Sequence, residues 1–462
     1  MVNRFCRPLL SNSFFIFGAR GTGKTTFLKS LFKGKSILWI DLLDPEEEDR
    51  FHRTPNELAR RVEANPHLEW VVIDEIQKNP ALLNVIHHLI ETTSIKFALT
   101  GSSARKLKQG SANLLAGRAF YNHFYPLTYF EMKDAFELDD VLSWGTLPKL
   151  LGTHSTREKT EYLKTYALTY LREEIWSEHI IRKLDPFRKF LEVAAQCNGE
   201  ILNYANIARD VGVATTTVQS YFEILDETLL GHFLEPYHQS IRKQQRQNPK
   251  FFLFDTGVKR ALEGQLSVSL VPGTYDYGHA FEQFIVLEIM RLNDYLGMDL
   301  KLSYLRTKDQ AEIDLIIEYP NGETLLIEIK STEEVDERHI RTLNRFLPDF
   351  ENARGMLISR DPYPKKIGAV MAYPWQAALK EIFRFTKEGL LKTLEEKGFR
   401  RNQNQGFTHP KTQTTLTMEV MNYFPQDVDL VELDLDAENT IYSMAPLEKT
   451  PAGFINCVVG LS

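Results

Sequence analysis

Cysteine is scarce in this 462-residue sequence: Cys6, Cys197 and Cys457 lie far apart, with no C-x-x-C pair. That excludes a disulfide framework and a cysteine metal knuckle, and it suits a reducing compartment, so a cytoplasmic protein is expected. No run approaches the roughly 18 consecutive apolar residues of a membrane helix, which removes a membrane partner of that kind. Met1 to Leu10 lacks the apolar stretch and small-residue cleavage site of a secretory signal. Excess positive charge is also missing. Lys and Arg number 55 against 62 Asp and Glu, a net −7, which argues against nonspecific coating of nucleic acid but leaves local basic surfaces open. What is present is globular composition, 43% hydrophobic and 25% charged, enough for about three domains at roughly 150 residues each.

The first apolar run, Phe14 to Phe17, is short, β-prone and followed at once by Gly18-Ala19-Arg20-Gly21-Thr22-Gly23-Lys24-Thr25. Thr26, Phe27, Leu28, Leu31 and Phe32 then continue with helical spacing. A glycine-rich turn between a strand and a helix aims backbone N–H groups at phosphate oxygens, aided by the positive end of the helix dipole. Lys24 would neutralise the β- and γ-phosphates and the Thr25 hydroxyl would bind Mg²⁺.

A second strand is expected over Ile37 to Leu43, then a polar acidic stretch through Arg53 and a helix over Asn56 to Ala64. Trp70-Val71-Val72-Ile73-Asp74-Glu75 reads as a central parallel strand ending in two acids at the nucleotide crevice. Asp74 would hold the Mg²⁺ shell and Glu75 would polarise the attacking water; the alternative is a solvated pair of acids. The strand Lys96 to Thr100 ends in Gly101-Ser102-Ser103, whose hydroxyls either touch the γ-phosphate or form a simple turn. Arg118 is a candidate for stabilising transition-state charge, in its own subunit or a neighbour's, with a surface salt bridge as the competing reading. Alternation of strand and helix to about residue 120 predicts a three-layer α/β domain with a mostly parallel sheet.

The middle of the chain reads as helical, from Thr156 to Ala195 and then over Ile201 to Ala208 and Ala214 to Phe222, with a turn at Gly212 between the last two. That is a helix-turn-helix with Val218, Tyr221, Phe222 and Leu225 toward a core and Thr215, Thr216, Gln219 and Ser220 outward. Arg242, Lys243, Arg246 and Lys250 follow as a candidate phosphate-touching wing. Helix-turn-helix folds also serve as spacers, and the second helix carries no Lys or Arg.

A second acidic constellation comes later. Glu282 lies on an apolar-striped helix opening at Gly278, and two β-prone runs, Glu312–Glu318 and Thr324–Ile329, flank Asn321-Gly322, a strong hairpin signal. Pairing across that turn brings Asp314 near Glu328, and alternation puts Glu328 and Lys330 on one face. Carboxylates and a lysine converging there can bind Mg²⁺ and position a water against a phosphodiester; the plainer reading is a polar hairpin with a salt bridge. Arg338, Arg341 and Arg345 space along one side of the next helix as a candidate phosphate-facing surface.

These segments together resemble the prokaryotic AAA-type ATPase family with a restriction-endonuclease-like C-terminal domain. The resemblance rests on Gly18 to Thr26, Val71 to Lys78, Leu99 to Ser103, Leu115 to Arg118, Tyr125-Pro126-Leu127, Lys250 to Gly257, Gly278 to Phe284 and Glu328-x-Lys330, and covers about residues 5–388. It implies that Gly23, Lys24 and Thr25 bind ATP-Mg²⁺, that Asp74 and Glu75 serve hydrolysis, that the middle is a winged helix, and that Glu282, Asp314, Glu328 and Lys330 form the nuclease-like motif. Catalytic arginines in such ATPases usually cross subunit boundaries, so Arg118 is compatible with a homo-oligomer. Where relatives often have proline and glutamine, this chain reads Gly18-Ala19-Arg20-Gly21.

The resulting expectation is an α/β protein in four parts: a P-loop ATPase domain (1–145), a helical winged-helix region (146–255), a nuclease-like α/β domain (256–390) and an unmatched extension (391–462). The loop residues Gly18, Gly21, Thr22, Gly23, Lys24, Thr25 and Thr26, with Asp74 and Ser102, would bind the nucleotide. Thr25, Asp74, Glu282, Asp314 and Glu328 would hold Mg²⁺, and Glu75, Arg118 and Lys330 would be catalytic. The expected function is ATP hydrolysis coupled to action on DNA, or alternatively an ATP-dependent switch whose endonuclease-like domain only binds.

Overall fold

A computed structural model of the chain describes residues 2–102, 115, 117–170, 184–238 and 247–384, together with the backbone of short strands in the tail. Two compact units divide it. The first holds Met1–Thr332, Asp336–Leu357 and Gly368–Val370, and the second holds Glu333–Val335, Ile358–Ile367 and Met371–Ser462.

In the first unit, β1 (Ser13–Phe17), β2 (Ile37–Asp41), β3 (Trp70–Asp74), β4 (Lys96–Gly101) and β5 (Ala119–His123) form a sheet in the order β2-β3-β4-β1-β5, every neighbouring pair parallel. The near-continuous apolar runs of β1 and β3 follow from burial on both faces. Phe15, Phe17, Val71, Ile73 and Leu99 pack on Phe51, Leu58, Leu82 and Ile86 on one side. Phe14, Ile16, Val72 and Ala98 pack on Leu28 and Phe32 on the other. Those partners come from α1 (Lys24–Leu31) and its C-terminal end on one face, and from α2 (Pro45–Arg53), α3 (Glu57–Glu63) and α4 (Leu82–Thr92) on the opposite face. The three layers expected from the sequence are therefore present, and all the sheet's parallel strands open their C-terminal ends toward one edge.

The acidic stretch through Arg53, to which the sequence assigns no element, is a helix. Phe51 is its one buried residue, so apolar periodicity is silent there. The local signals are polar instead: Asp44 accepts from Glu46 N at 3.0 Å, Pro45 opens the first turn, and Glu46, Glu47 and Glu48 face the positive end of the helix dipole.

Helices α5 (Leu138–Trp144), α6 (Thr156–Thr165), α7 (Leu184–Gln196), α8 (Tyr204–Val211) and α9 (Thr215–Glu227) share one core with Phe190, Ile207, Val218, Phe222 and Phe251 at its centre. Residues 171–183, inside the expected helical run, lie outside the described residues. Asn203 caps α8, accepting from Asn206 N at 3.1 Å, and Gly212 ends it in the left-handed region at φ 81.

Next come β6 (Gly231–Pro236), β7 (Lys250–Leu253), α10 (Thr256–Leu262), the 22-residue α11 (Tyr275–Leu296), and β8 (Lys301–Arg306), β9 (Glu312–Glu318), β10 (Thr324–Ile329) and β11 (Ala353–Ser359). Within the first unit these strands run β7-β6-β8-β9-β10, with residues 353–357 of β11 beside β10. One sheet thus joins the strands after the helix pair to those of the later hairpin. The hairpin turns at Asn321-Gly322 as expected, with Thr324 opposite Glu318 and Leu326 opposite Ile316.

In the second unit, Asp361 accepts from Val335 N at 3.2 Å and Arg360 pairs with Glu333 at 2.8 Å. Its helix, α12 (Trp375–Ile382), buries Trp375, Ala378, Leu379 and Ile382. In the tail, Asp429–Asp434 pairs antiparallel with Thr440–Ala445.

Candidate functional site

Two polar centres stand out in the first unit. The first is the loop between β1 and α1. Gly18 passes so close to β5's end that a Cβ there would lie 2.1 Å from Phe124 O, and Gly23 enters α1 at φ 97, a conformation that disfavours a side chain. Lys24 Nζ donates to the carbonyls of Gly18 at 2.6 Å and Ala19 at 3.3 Å, so the ammonium is held inside the loop. Thr22 Oγ1 donates to Ala19 O at 2.8 Å and closes the turn. Gly21 and Thr26 lie on either side of these, Thr26 facing a cavity of about 320 Å³ lined also by Gly23, Phe27, Val2, Arg4 and Pro148.

Strands β3 and β4 bring the acids to this loop. Thr25 Oγ1 donates to Asp74 Oδ2 at 2.7 Å, and Thr100 Oγ1 donates to Asp74 Oδ1. A hydroxyl and a carboxylate touching beside a phosphate-type loop are hard oxygen donors of the kind Mg²⁺ takes, so these two residues fit that ion. Glu75 sits in the left-handed region at φ 62, and its N–H donates to Thr100 Oγ1 at 3.0 Å. Gln77 Nε2 donates to Glu75 Oε2 and, at 3.2 Å, to the buried Ser102 Oγ. Glu75 and Ser102, expected from the sequence, are thus joined through Gln77, which the sequence does not single out. Ser103 lies outside the described residues. Arg118 is elsewhere: it forms an exposed pair with Glu91 on α4, the surface-bridge alternative.

Sequence reasoning also missed Arg4. Its Nη1 donates to Thr22 O at 2.8 Å, its Nε to the buried Glu131 at 3.0 Å and its Nη2 to Tyr295 Oη at 3.3 Å. No local pattern signals it, because its partners are 18 to 291 positions away.

The second centre lies where α11, β7, β9 and β10 meet. Lys330 Nζ is 2.7 Å from Glu328 Oε1 and 3.6 Å from Asp314 Oδ2, while Asp314 Oδ2 also accepts from Ile329 N at 2.7 Å. Asp314, Glu328 and Lys330 therefore come together across the hairpin. Glu282 reaches the centre from α11 through Lys250, whose Nζ is 3.2 Å from Glu282 Oε1 and 2.6 Å from Glu312 Oε1. Burial pushes the Glu328 carboxyl up, Asp314 adds to that, and Lys330 opposes it. Burial also raises Glu282, against the pull of Lys250. Among the described residues, no three His, Cys, Asp or Glu side chains are arranged as a ready metal cage. The carboxylates instead hold ammonium groups, and one oxygen, Glu328 Oε2, is buried with no hydrogen-bond partner.

Two surface expectations change. Lys250 is not part of an exposed wing, because β7 directs its side chain into this acidic centre with 4% exposure. Arg242, Lys243 and Arg246 lie outside the described residues. Arg338 holds Asp336 at 2.6 Å and Arg345 holds Asp309 at 2.7 Å, so two of the three arginines expected to face phosphate are engaged with acids. On α9, by contrast, Val218, Tyr221, Phe222 and Leu225 are buried and Thr215, Thr216, Gln219 and Ser220 are exposed, as the spacing predicts.

Residues 11–133, which contain the loop and both acids, match the family model described as "AAA domain". The N-terminal region is similar to AAA domains and carries a P-loop. Residues 135–269 and 277–377 match two further models, both described as domains of unknown function. Among similar proteins are uncharacterized proteins of Mycobacterium bovis and Mycobacterium tuberculosis, each 27% identical over 318 residues, covering 68% of this chain and 69% of theirs. An uncharacterized protein of Methanocaldococcus jannaschii is 23% identical over 410 residues, covering 79% and 84%. Among solved structures, the replication initiator DnaA bound to AMPPCP and single-stranded DNA is 17% identical with a TM-score of 0.26, covering 47% of this chain and 82% of that one. AMPPCP-bound DnaA from Aquifex aeolicus is 16% identical with a TM-score of 0.22, covering 55% and 87%. At these TM-scores neither likeness extends to function. Among the described residues no helix is long and apolar enough to cross a membrane.

Proposed function

We propose that the chain binds and hydrolyses ATP with Mg²⁺ and that its ATPase domain governs a nuclease-type centre acting on DNA. The observation that carries the ATPase reading is the Thr25–Asp74 contact at 2.7 Å beside a loop that encloses Lys24. Here Lys24 neutralises phosphate charge, Thr25 and Asp74 hold the ion, Glu75 activates water, and Gln77 with Ser102 positions Glu75. An arginine supplied by a neighbouring copy would complete the site, and Arg118 is the candidate in a homo-oligomer. The helix pair α8–α9 with β6 and β7 supports a winged-helix reading, its uncharged outward face suiting shape or phosphate contact better than base readout. Asp314, Glu328 and Lys330, with Glu282, support the nuclease-type reading.

The test is a paired assay. Lys24→Ala is expected to abolish ATP turnover, while Lys330→Ala spares turnover and abolishes strand cleavage in Mg²⁺ or Mn²⁺. Undiminished turnover in Lys24→Ala would sink the ATPase assignment.

A second reading is favoured by the way lysines already occupy the acidic centre: an ATP-dependent switch whose C-terminal sheet only binds DNA or protein. It predicts nucleotide-dependent binding and no cleavage under any divalent cation.

A further inference from the structure

Tyr275 opens α11 with 73% of its surface in water, more than any other large hydrophobic side chain among the described residues. Its position is nevertheless fixed. The ring packs on the ring of His279, one turn along the helix, with centroids 4.1 Å apart, and its hydroxyl donates to Glu200 Oε1 at 3.4 Å. Glu200 also lies 3.9 Å from His279 Nε2. An aromatic side chain that served only packing would be buried. This one is oriented from one side and left open to water on the rest.

The same helix face leads to the acidic centre. Tyr275, Gly278, His279 and Glu282 follow one another at helical spacing, and seven residues of helix put the first and last about 10 Å apart. Between them Gly278 faces the end of the hairpin: a Cβ there would lie 3.7 Å from the hydroxyl of Ser331, which follows Lys330. Glu200 arrives from another element, for Ile201 beside it pairs with Lys250, the lysine bonded to Glu282. Tyr275 therefore stands at the margin of the acidic centre, where the segment leading into α8 meets α11.

We propose that Tyr275 is a stacking platform for an unpaired base of the DNA strand that the acidic centre engages, which makes single-stranded or locally opened DNA its substrate class. The inference rests on the reading of that centre as acting on DNA. An aromatic face stacks on any base, provided that base is not already covered by its neighbours in a duplex. Charge decides which part of the strand meets the ring. Glu200 and Asp276 flank it and repel phosphate, so a base rather than the backbone faces Tyr275. At the 3.4 Å step of a stacked strand, 10 Å is about three nucleotides, so this base lies within about three of the phosphodiester at the acidic centre. His279 and Glu200 hold the ring before the base arrives, and little side-chain freedom is lost on stacking.

The experiment is fluorescence anisotropy of a labelled oligodeoxynucleotide, as a single strand and as its duplex, titrated with the full chain in EDTA to prevent cleavage. The wild type is expected to bind the single strand. Tyr275→Ala and Tyr275→Leu are each expected to weaken that binding about tenfold and to leave duplex binding unchanged, while Tyr275→Trp retains it. A 2-aminopurine scanned along the strand is expected to lose fluorescence by stacking on the wild type and on Tyr275→Trp, but not on Tyr275→Leu. Circular dichroism reports folding. A wild type that binds only duplex, unchanged single-strand binding in Tyr275→Ala, or an equal loss for strand and duplex overturns the inference alone. Binding of neither form by the wild type overturns the DNA reading and the inference with it.

Discussion

Thr25 Oγ1 donates to Asp74 Oδ2 across 2.7 Å, tying the first turn of α1 to the end of β3. Asp74 is fixed from the other side as well, by the Thr100 hydroxyl of β4. If, as proposed, the two residues hold one Mg²⁺, they act as a unit, and removing either one disables the same ion. Thr25→Ala and Asp74→Asn are each expected to lower kcat for Mg-ATP on the order of a hundredfold. The double variant should be little worse than the worse single one. Steady-state turnover at saturating Mg-ATP checks this, and strictly multiplicative losses would show that the two residues act separately.

Gly18 has no room for a methyl group beside the Phe124 carbonyl, whereas Gly34 has open space and only a positive φ of 80. Gly18→Ala must therefore displace backbone, at about 3 kcal/mol, and is expected to lose nucleotide binding along with stability. Gly34→Ala should cost only about 1 kcal/mol and leave binding intact. Urea midpoints and nucleotide titration of the two variants side by side decide it; equal midpoints would refute the crowding argument.

Glu288 is fully buried on α11, accepts from Tyr129 N at 2.9 Å, and lies 3.6 Å from Arg291. Burial pushes its carboxyl up from 4.5 to about 7, and Arg291 and the Tyr129 N–H only partly oppose that. The folded chain thus holds this proton more tightly than the unfolded chain. Its contribution is complete below pH 4.5 and is lost as pH rises through about 7, by roughly 3 kcal/mol in all. Glu288→Gln keeps the acceptor without the titration, so its urea midpoint should gain on the wild type between pH 5 and pH 8. Parallel pH profiles would dismiss the assignment.

Local signals carried the phosphate loop, the acids after β3 and the Asn321-Gly322 hairpin, because each is fixed by neighbours within a few residues. Register did the rest for Asp314 and Glu328, since a strand's two-residue period determines which side chains share a face. The helix Pro45–Arg53 escaped because one buried residue gives no period to read, although its cap and charge gradient were in plain view. Lys250 was misplaced for a different reason. A lysine in a polar, basic stretch looks like a surface residue until the fold brings Glu282 and Glu312 to it from 32 and 62 positions away. Arg118 and the pair Arg338 and Arg345 show the converse: exposed as expected, but each paired with a carboxylate.

Helix α11 has a mechanical meaning. Tyr295, in its last turn, is bonded through Arg4 to the Thr22 carbonyl of the phosphate loop, and Glu282, two turns in from its start, is bonded to Lys250. Thirteen residues of unbroken helix, about 20 Å, separate those two attachments. Between them Gln283 donates to Leu253 O and Arg291 to Phe254 O, pinning the shaft along its length. The two centres are fastened to separate points of one stiff strut, so neither can slide along its axis without dragging the other or snapping a shielded bond.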